Sequence, residues 1–333
     1  MPALPGIAPR PEPLLESRIT WIWGSPRSGS TWLLKLLSHP LAPDPELPLG
    51  FEPPRREPGT GSSRGFDSLP IDETFISNHL APALADPRLV DGRWVPGTIN
   101  NLLAAAKPAY AFSEEYAAEW MPAARDFALA RIQAVIDRAR EAKVPLADGH
   151  RVTIKETNGS HAADLVMSLM PSARLLLLIR DGRDVIDSLL AGYQPGAFFA
   201  NNQGVAISTE QERERAIGWA ARLWACNTDV TLRAIERHPS ALTRILRYED
   251  LLAQPTTELA SLCQWSGTPR GRDEIERIVE RHSFSRLPAR TTGPLSRNRA
   301  ATPGLWRKNL SATELRRVDD ICGPLLERFG YER

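Results

Sequence analysis

Ile19-Thr20-Trp21-Ile22-Trp23-Gly24-Ser25-Pro26-Arg27-Ser28-Gly29-Ser30-Thr31-Trp32-Leu33-Leu34 joins an apolar run, a loop of small residues and the start of a helix. That order is suited to cradling a phosphate. Glycines let the backbone curl so that several N–H groups face one anion, and the following helix adds the positive end of its dipole. The spacing Gly24-x-x-x-x-Gly29-x-Thr31 is that of a Walker A loop, except that Ser30 stands where the lysine belongs and the cation has moved to Arg27. A phosphoryl-transfer loop needs the lysine to reach the β and γ phosphates and the next hydroxyl to hold Mg²⁺. Its replacement argues for a phosphate-bearing donor other than ATP.

Composition narrows the rest. The 333 residues suit two domains or one elaborated α/β domain. With 41 basic against 40 acidic side chains there is no global field to gather nucleic acid or an anionic membrane, so an anion site has to be local. Cys226, Cys263 and Cys322 are odd in number and far apart, which fits a reducing compartment, no disulfide framework and no zinc spacing. Met1 to Ser17 holds five prolines and no sustained apolar stretch. We read residues 1–17 as a disordered tail rather than a signal peptide or membrane anchor, residues 18–333 as a single domain, and the protein as cytoplasmic.

Apolar strands and helices alternate along the chain. Helical spacing of Trp120, Ala124, Phe127, Ile132, Val135 and Ile136 predicts a helix over residues 117–141. Val152 to Ile154 reads as a short strand, Ser160 to Met170 as a helix capped by Ser160, and Arg174 to Ile179 as a second apolar strand. Helices over 184–190 and 210–237 follow, then a strand over 242–248. A last helix begins at Ser311, with Glu314 completing a capping box, and closes at Gly330. The expected fold class is α/β, a three-layer sandwich with a central parallel sheet of the P-loop nucleotide-kinase kind. Thirteen of the 29 prolines fall in the first 60 residues, and residues 53–65 read as a loop beside the cradle.

The strand at 174–179 runs into Arg180-Asp181-Gly182-Arg183-Asp184-Val185-Ile186-Asp187-Ser188. In an open parallel sheet ligands sit at the carboxyl ends of strands, so Arg180 emerges where the cradle opens and suggests a second phosphate. Ser188, two helical turns on, could donate to the same group, and Arg183 could close from the side. The same charges could instead cap a solvated helix. A Walker B reading of Asp181 meets the objection that the first polar residue after the strand is Arg180.

Together with the late Gly304-Leu305-Trp306-Arg307-Lys308, these motifs resemble the sulfotransferases that use 3′-phosphoadenosine 5′-phosphosulfate (PAPS). The resemblance spans residues 19–331. It implies that Gly24, Pro26, Arg27, Ser28, Gly29, Ser30 and Thr31 bind the 5′-phosphosulfate, and that Arg180 and Ser188 bind the 3′-phosphate. It further implies that Trp32, Tyr248 and Phe284 contact adenine and that Arg299, with Arg297 as the alternative, reaches the 3′-phosphate. Lys155 matches the lysine of the family's KTH or KSS segment. Where cytosolic members carry a basic histidine this chain has Thr157, which cannot serve as a base. The glutamate of Leu49-Gly50-Phe51-Glu52 resembles that of tyrosylprotein and bacterial members, so Glu52 is the first choice of base, with Glu156 and His161 behind it.

The implied activity (EC 2.8.2) is metal-independent, in-line sulfuryl transfer from PAPS to a hydroxyl, leaving 3′-phosphoadenosine 5′-phosphate (PAP). Arg27 and Lys155 would stand on the leaving side. The acceptor is a carbohydrate, a small-molecule alcohol or phenol, or a peptide tyrosine, in a pocket formed by residues 57–66, residues 194–208 with Phe198 and Phe199, and the helix bearing Trp120. A P-loop kinase or nucleotide hydrolase and a non-catalytic anion-binding protein are the alternatives. Oligomeric state is not legible.

Overall fold

A computed structural model describes residues 15–38, 66–72, 87–95, 116–288, 292–293, 295–296 and 301–332. Its centre is a sheet of five parallel strands, β1 (Ile19–Trp23), β2 (Phe66–Asp72), β5 (Leu146–Lys155), β6 (Arg174–Ile179) and β7 (Thr243–Arg247), in the order β2-β5-β1-β6-β7. The cradle strand β1 is thus central. Its register sets Ile22 beside Lys155 on one side and beside Leu176 on the other. A small antiparallel ribbon, β3 (Arg88–Val90) with β4 (Arg93–Val95), stands apart from the sheet.

Both faces of the sheet are covered, which is why its inner strands read as unbroken apolar runs. Ile19, Trp21 and Trp23 share one face with helices α2 (Ala117–Glu141) and α3 (Ala163–Leu169). The two tryptophans are fully buried and stacked, with ring centroids 5.2 Å apart. Further along that face, Leu177 and Ile179 pack with α4 (Gly182–Gly192), α6 (Glu210–Arg237) and α11 (Ala312–Arg328). On the other face, Ile22, Leu176 and Leu178 pack against α1 (Ser30–Leu37), α7 (Tyr248–Ala253), α8 (Pro255–Ser266) and α9 (Arg272–Arg281). This is the expected three-layer α/β arrangement.

Several boundaries moved. β5 is longer than residues 152–154 because its polar first half, Ala147 to Arg151, carries no apolar signal. Pro70 lies in β2, which the order of the sheet makes an edge strand, the one place where a missing N–H does little harm. In α2 the buried stripe is Ala124, Ala128, Ile132 and Ile136, while Phe127 is 49 % exposed. Residues 15–17 are not part of a disordered tail. Leu15 is fully buried, and Glu16 accepts hydrogen bonds from the Ser172 N–H at 2.6 Å and from the Arg125 guanidinium. Residues 1–14 lie outside the described residues. No helix among the described residues is long and apolar enough to cross a membrane.

Candidate active site

At the carboxyl end of β1 the chain has to turn between two neighbouring strands. Gly24 does so at φ +146°, where a Cβ would stand 2.4 Å from the Leu178 carbonyl oxygen. Ser25-Pro26-Arg27-Ser28 forms the next turn, closed by the Ser28 N–H donating to the Ser25 carbonyl at 3.2 Å. Proline suits its second position. The third demands positive φ and is usually glycine, yet Arg27 holds it at φ +72°, a strain of about 1 kcal/mol. Gly29 follows at φ +93°, and a Cβ there would meet the Tyr248 ring at 2.6 Å. Helix α1 then begins at Ser30, its first turn facing the loop.

Three neighbouring strands deliver the remaining groups to this end of the sheet. From β5, the Lys155 ammonium donates to Thr31 Oγ1 at 3.2 Å. From β6, Arg180 Nη1 donates to the Arg27 carbonyl at 3.1 Å, with the guanidinium 4.7 Å over the Tyr248 ring. Tyr248 itself directly follows β7 and is 5 % exposed. Arg27 Nε donates to Ser188 Oγ at 3.0 Å, so the arginine of the first motif and the serine of the second touch. Ser25 Oγ, Ser28 Oγ and Arg180 Nε are buried without a hydrogen-bond partner among the described residues. Unmet donors around a glycine-shaped concavity are the chemistry an oxyanion satisfies.

The Sulfotransferase family profile matches residues 20–272 of the chain, a span that holds both motifs. The protein belongs to the sulfotransferase family. Mouse carbohydrate sulfotransferase 5 is 27 % identical over 172 residues, 47 % of this chain and 41 % of that protein. The human protein of the same name is 26 % identical over 167 residues, 47 % of this chain and 40 % of its own length. The chain therefore spans less than half the length of the curated relatives it matches. Among solved structures, mouse sulfotransferase SULT7A1 complexed with PAP aligns with a TM-score of 0.48 at 12 % identity, covering 94 % of this chain and 87 % of that one.

Behind the cradle of this sulfotransferase-family chain lies a scaffold that sequence reasoning missed. Asp181 caps α4 and binds Arg183 at 2.9 and 2.8 Å; Arg183 also donates to the Glu332 carbonyl at 2.5 Å and stacks 4.1 Å over Trp306. Arg183 is thus held by Asp181, Glu332 and Trp306 rather than turned toward the cradle. Asp184 accepts from the Gly304 N–H at 2.7 Å and, at the start of the short helix α10 (Trp306–Asn309), from the Trp306 N–H at 3.4 Å, and lies 3.9 Å from Arg180. Burial raises its pKa, against the pull of the Gly304 N–H and Arg180. Glu249 accepts from the Asp181 N–H at 3.1 Å and from the Tyr331 hydroxyl at 2.8 Å. The only local signal for Asp184 was its place one helical turn after Arg180.

Other expected site residues distribute as follows. Ser160 does not cap a helix: its hydroxyl donates to the Gly24 carbonyl at 2.7 Å and accepts from the Gly24 N–H at 3.0 Å, pinning the mouth of the cradle. Glu156 is 0 % exposed and its N–H continues the ladder to Ile22, so enclosure removes it from reach of an acceptor in this conformation. His161 is buried in the turn at Ser160–Ala162. Trp32 meets Tyr248 edge-on, with centroids 6.0 Å apart, whereas Phe284, 39 % exposed, sits on a turn after α9 and joins neither ring.

Phe198 and Phe199 open a short helix, α5 (Phe198–Gln203), that places the Phe199 ring 5.3 Å from the Arg27 guanidinium. Trp120 instead packs against the core on the α2 face. Glu52, Arg297, Arg299 and the loop at 53–65 lie outside the described residues.

Proposed function

We propose that this sulfotransferase moves the sulfuryl group of PAPS to a hydroxyl, with a carbohydrate as the favoured acceptor class. The observation that carries the reading is the contact between the two motifs: a glycine-shaped anion cradle without a Walker lysine lies against Arg180 and Ser188, giving adjoining places for two phosphate groups. The carbohydrate preference rests on the relatives that match 47 % of the chain.

PAPS, when bound, supplies an activated sulfuryl group whose departure leaves charge on a phosphate oxygen. The chain's own groups are arranged for that charge. The N–H groups of Gly29 and Ser30 at the start of α1, with the Ser25 and Ser28 hydroxyls, orient the 5′ end, and Arg27 and Lys155 neutralise the leaving side. Arg180 and Ser188 hold the 3′-phosphate, and Trp32 and Tyr248 offer aromatic surface to adenine. Among the three candidate bases, Glu52 is retained in that role. Phe199 beside Arg27 marks the acceptor side. A cytoplasmic location is part of the same proposal, supported by three buried, unbridged cysteines.

Calorimetric titration with PAP, in the absence of Mg²⁺ and against ATP and 5′-AMP, tests the donor class. PAP should bind while 5′-AMP binds at least tenfold more weakly, and Arg180→Ala should erase that difference, a charge-assisted contact being worth about 1.5–3 kcal/mol. ATP binding that requires Mg²⁺, with PAP silent, would replace this reading by the kinase. Glu52→Gln should lower turnover about 10²–10⁴-fold with PAP affinity intact.

A further inference from the structure

At the end of the sheet opposite the cradle, three adjacent strands begin among cations. Arg18 immediately precedes β1, Arg151 lies in β5 and Arg174 opens β6; the register sets Ile19 beside Val152 and Thr20 beside Arg174, so the three arginines stand in a row. Arg151 Nη2 and Arg174 Nη1 donate to one and the same oxygen, the Ser17 carbonyl, at 2.8 and 3.2 Å. Two guanidinium groups sharing an acceptor stand within about 6 Å of each other, and like charges that close repel.

Their hydrogen bonds among the described residues do not compensate them. Arg151 and Arg174 donate to carbonyl oxygens alone, the third being that of Trp265 at the end of α8, where the negative end of a helix suits one cation. Arg151 Nε is buried with no partner. Next to it in β5, His150 is 4 % exposed, and the alternation of the strand sends its side chain to the opposite face of the sheet from Arg151; its Nδ1–H donates to the Ala147 carbonyl at 3.2 Å, which leaves Nε2 of the neutral ring an acceptor. Arg140, which is paired with Asp137 at 3.3 Å, adds its charge from α2. Burial, then the charges of Arg174 and Arg18, lower Arg151 to about 10. Burial and the charges of Arg18 and Arg140 hold His150 below its ordinary value, against the Ala147 carbonyl. Among the described residues the corner combines two close guanidinium groups with one buried donor, Arg151 Nε, that has no hydrogen-bond partner.

We propose that this corner is a second oxyanion site, separate from the donor cradle, in which Arg151 and Arg174 hold a phosphate or sulfate group. The five residues of β1 put about 16 Å between it and the cradle. Planar guanidinium forks match the oxygens of a tetrahedral anion, and an anion here would relieve the repulsion between Arg151 and Arg174, which bind only carbonyl oxygens among the described residues. The group can arrive as a free ion or as an ester carried by a larger molecule; the recognition chemistry is shared.

Isothermal calorimetry on the full chain reads the site. Inorganic phosphate is titrated at constant ionic strength against chloride, in wild type and in Arg180→Ala, which disables the cradle. The expected result is saturable binding of phosphate, absent with chloride and retained in Arg180→Ala, which is the background for the variants that follow. Arg151→Gln and Arg174→Gln should each weaken the phosphate response about tenfold. Should either fail to fold, Arg151→Lys and Arg174→Lys keep the charge and lose the fork, and should still weaken it several-fold. Glucose 6-phosphate in place of the ion separates the sources: an equal response assigns an ester, a response to the ion alone assigns free anion. A response that never saturates, that chloride reproduces, or that survives in the Arg151 and Arg174 variants would overturn the proposal.

Discussion

Arg27 shows how one residue carries opposed demands. Its backbone occupies a position that glycine would hold without strain, yet its side chain is the one that reaches Ser188. Strain of this kind persists where the surroundings over-determine it and the function needs the side chain. The two contributions are separable by mutation. Arg27→Ala keeps the strained backbone and loses the bonds, whereas Arg27→Gly loses the bonds and relaxes the backbone at some cost in unfolded-chain entropy. The glycine variant should therefore be the more stable of the two by up to about 1 kcal/mol in urea unfolding, and both should lose PAP affinity by tenfold or more. Equal stabilities would show that the left-handed turn at Arg27 is not strained.

Among elements, the cradle depends on a short turn that follows a different strand. The segment at Ser160–Ala162 comes after β5, and the Ser160 hydroxyl meets both polar groups of the Gly24 peptide, so β5 fixes the opening of a loop that belongs to β1. Removing that hydroxyl leaves a buried N–H and carbonyl unmet. Ser160→Ala should cost about 1–3 kcal/mol in urea unfolding, while Ser168→Ala, which loses an exposed bond to the Asp164 carbonyl, should cost under about 0.5 kcal/mol. Similar losses in the two variants would mean that Ser160 does not fix the loop. Asp184 plays the comparable part on the far side, tying the Gly304–Trp306 turn to the helix that carries Ser188.

Over the whole molecule, packing decides the chemistry of the thiols. Cys226, Cys263 and Cys322 are all at 0 % exposure, Cys226 and Cys322 in one core cluster and Cys263 in another, and burial is the leading cause that raises each thiol, Cys226 to about 12. A thiol held protonated and out of solvent is a poor nucleophile. Native protein at pH 8 should release almost no colour with a disulfide reagent over minutes, and three equivalents should appear on denaturation. Rapid labelling of Cys226 in the native state would contradict the packing of α6 against α4 and α11.

Local order was enough for some of this. Gly24 to Thr31 is a contiguous loop whose glycines and hydroxyls have one economical use, and Arg174 to Ile179 is an apolar run that could only be an inner strand, so the cradle, the Arg180 turn and the α/β class were readable from the chain. Helices with a strong apolar stripe or a capping box, α2 and α11, were readable for the same reason. Strand order was not, because periodicity identifies a strand without naming its neighbours. It took the placement of β1 between β5 and β6 to bring Lys155 to Thr31 and Arg27 to Ser188. Tertiary structure alone turned Arg183 away from the site, enclosed Glu156 and gave Ser160 its partner. It also gathered Arg18, Arg151 and Arg174, since the direction of a side chain and the charges it meets depend on residues far away in the sequence.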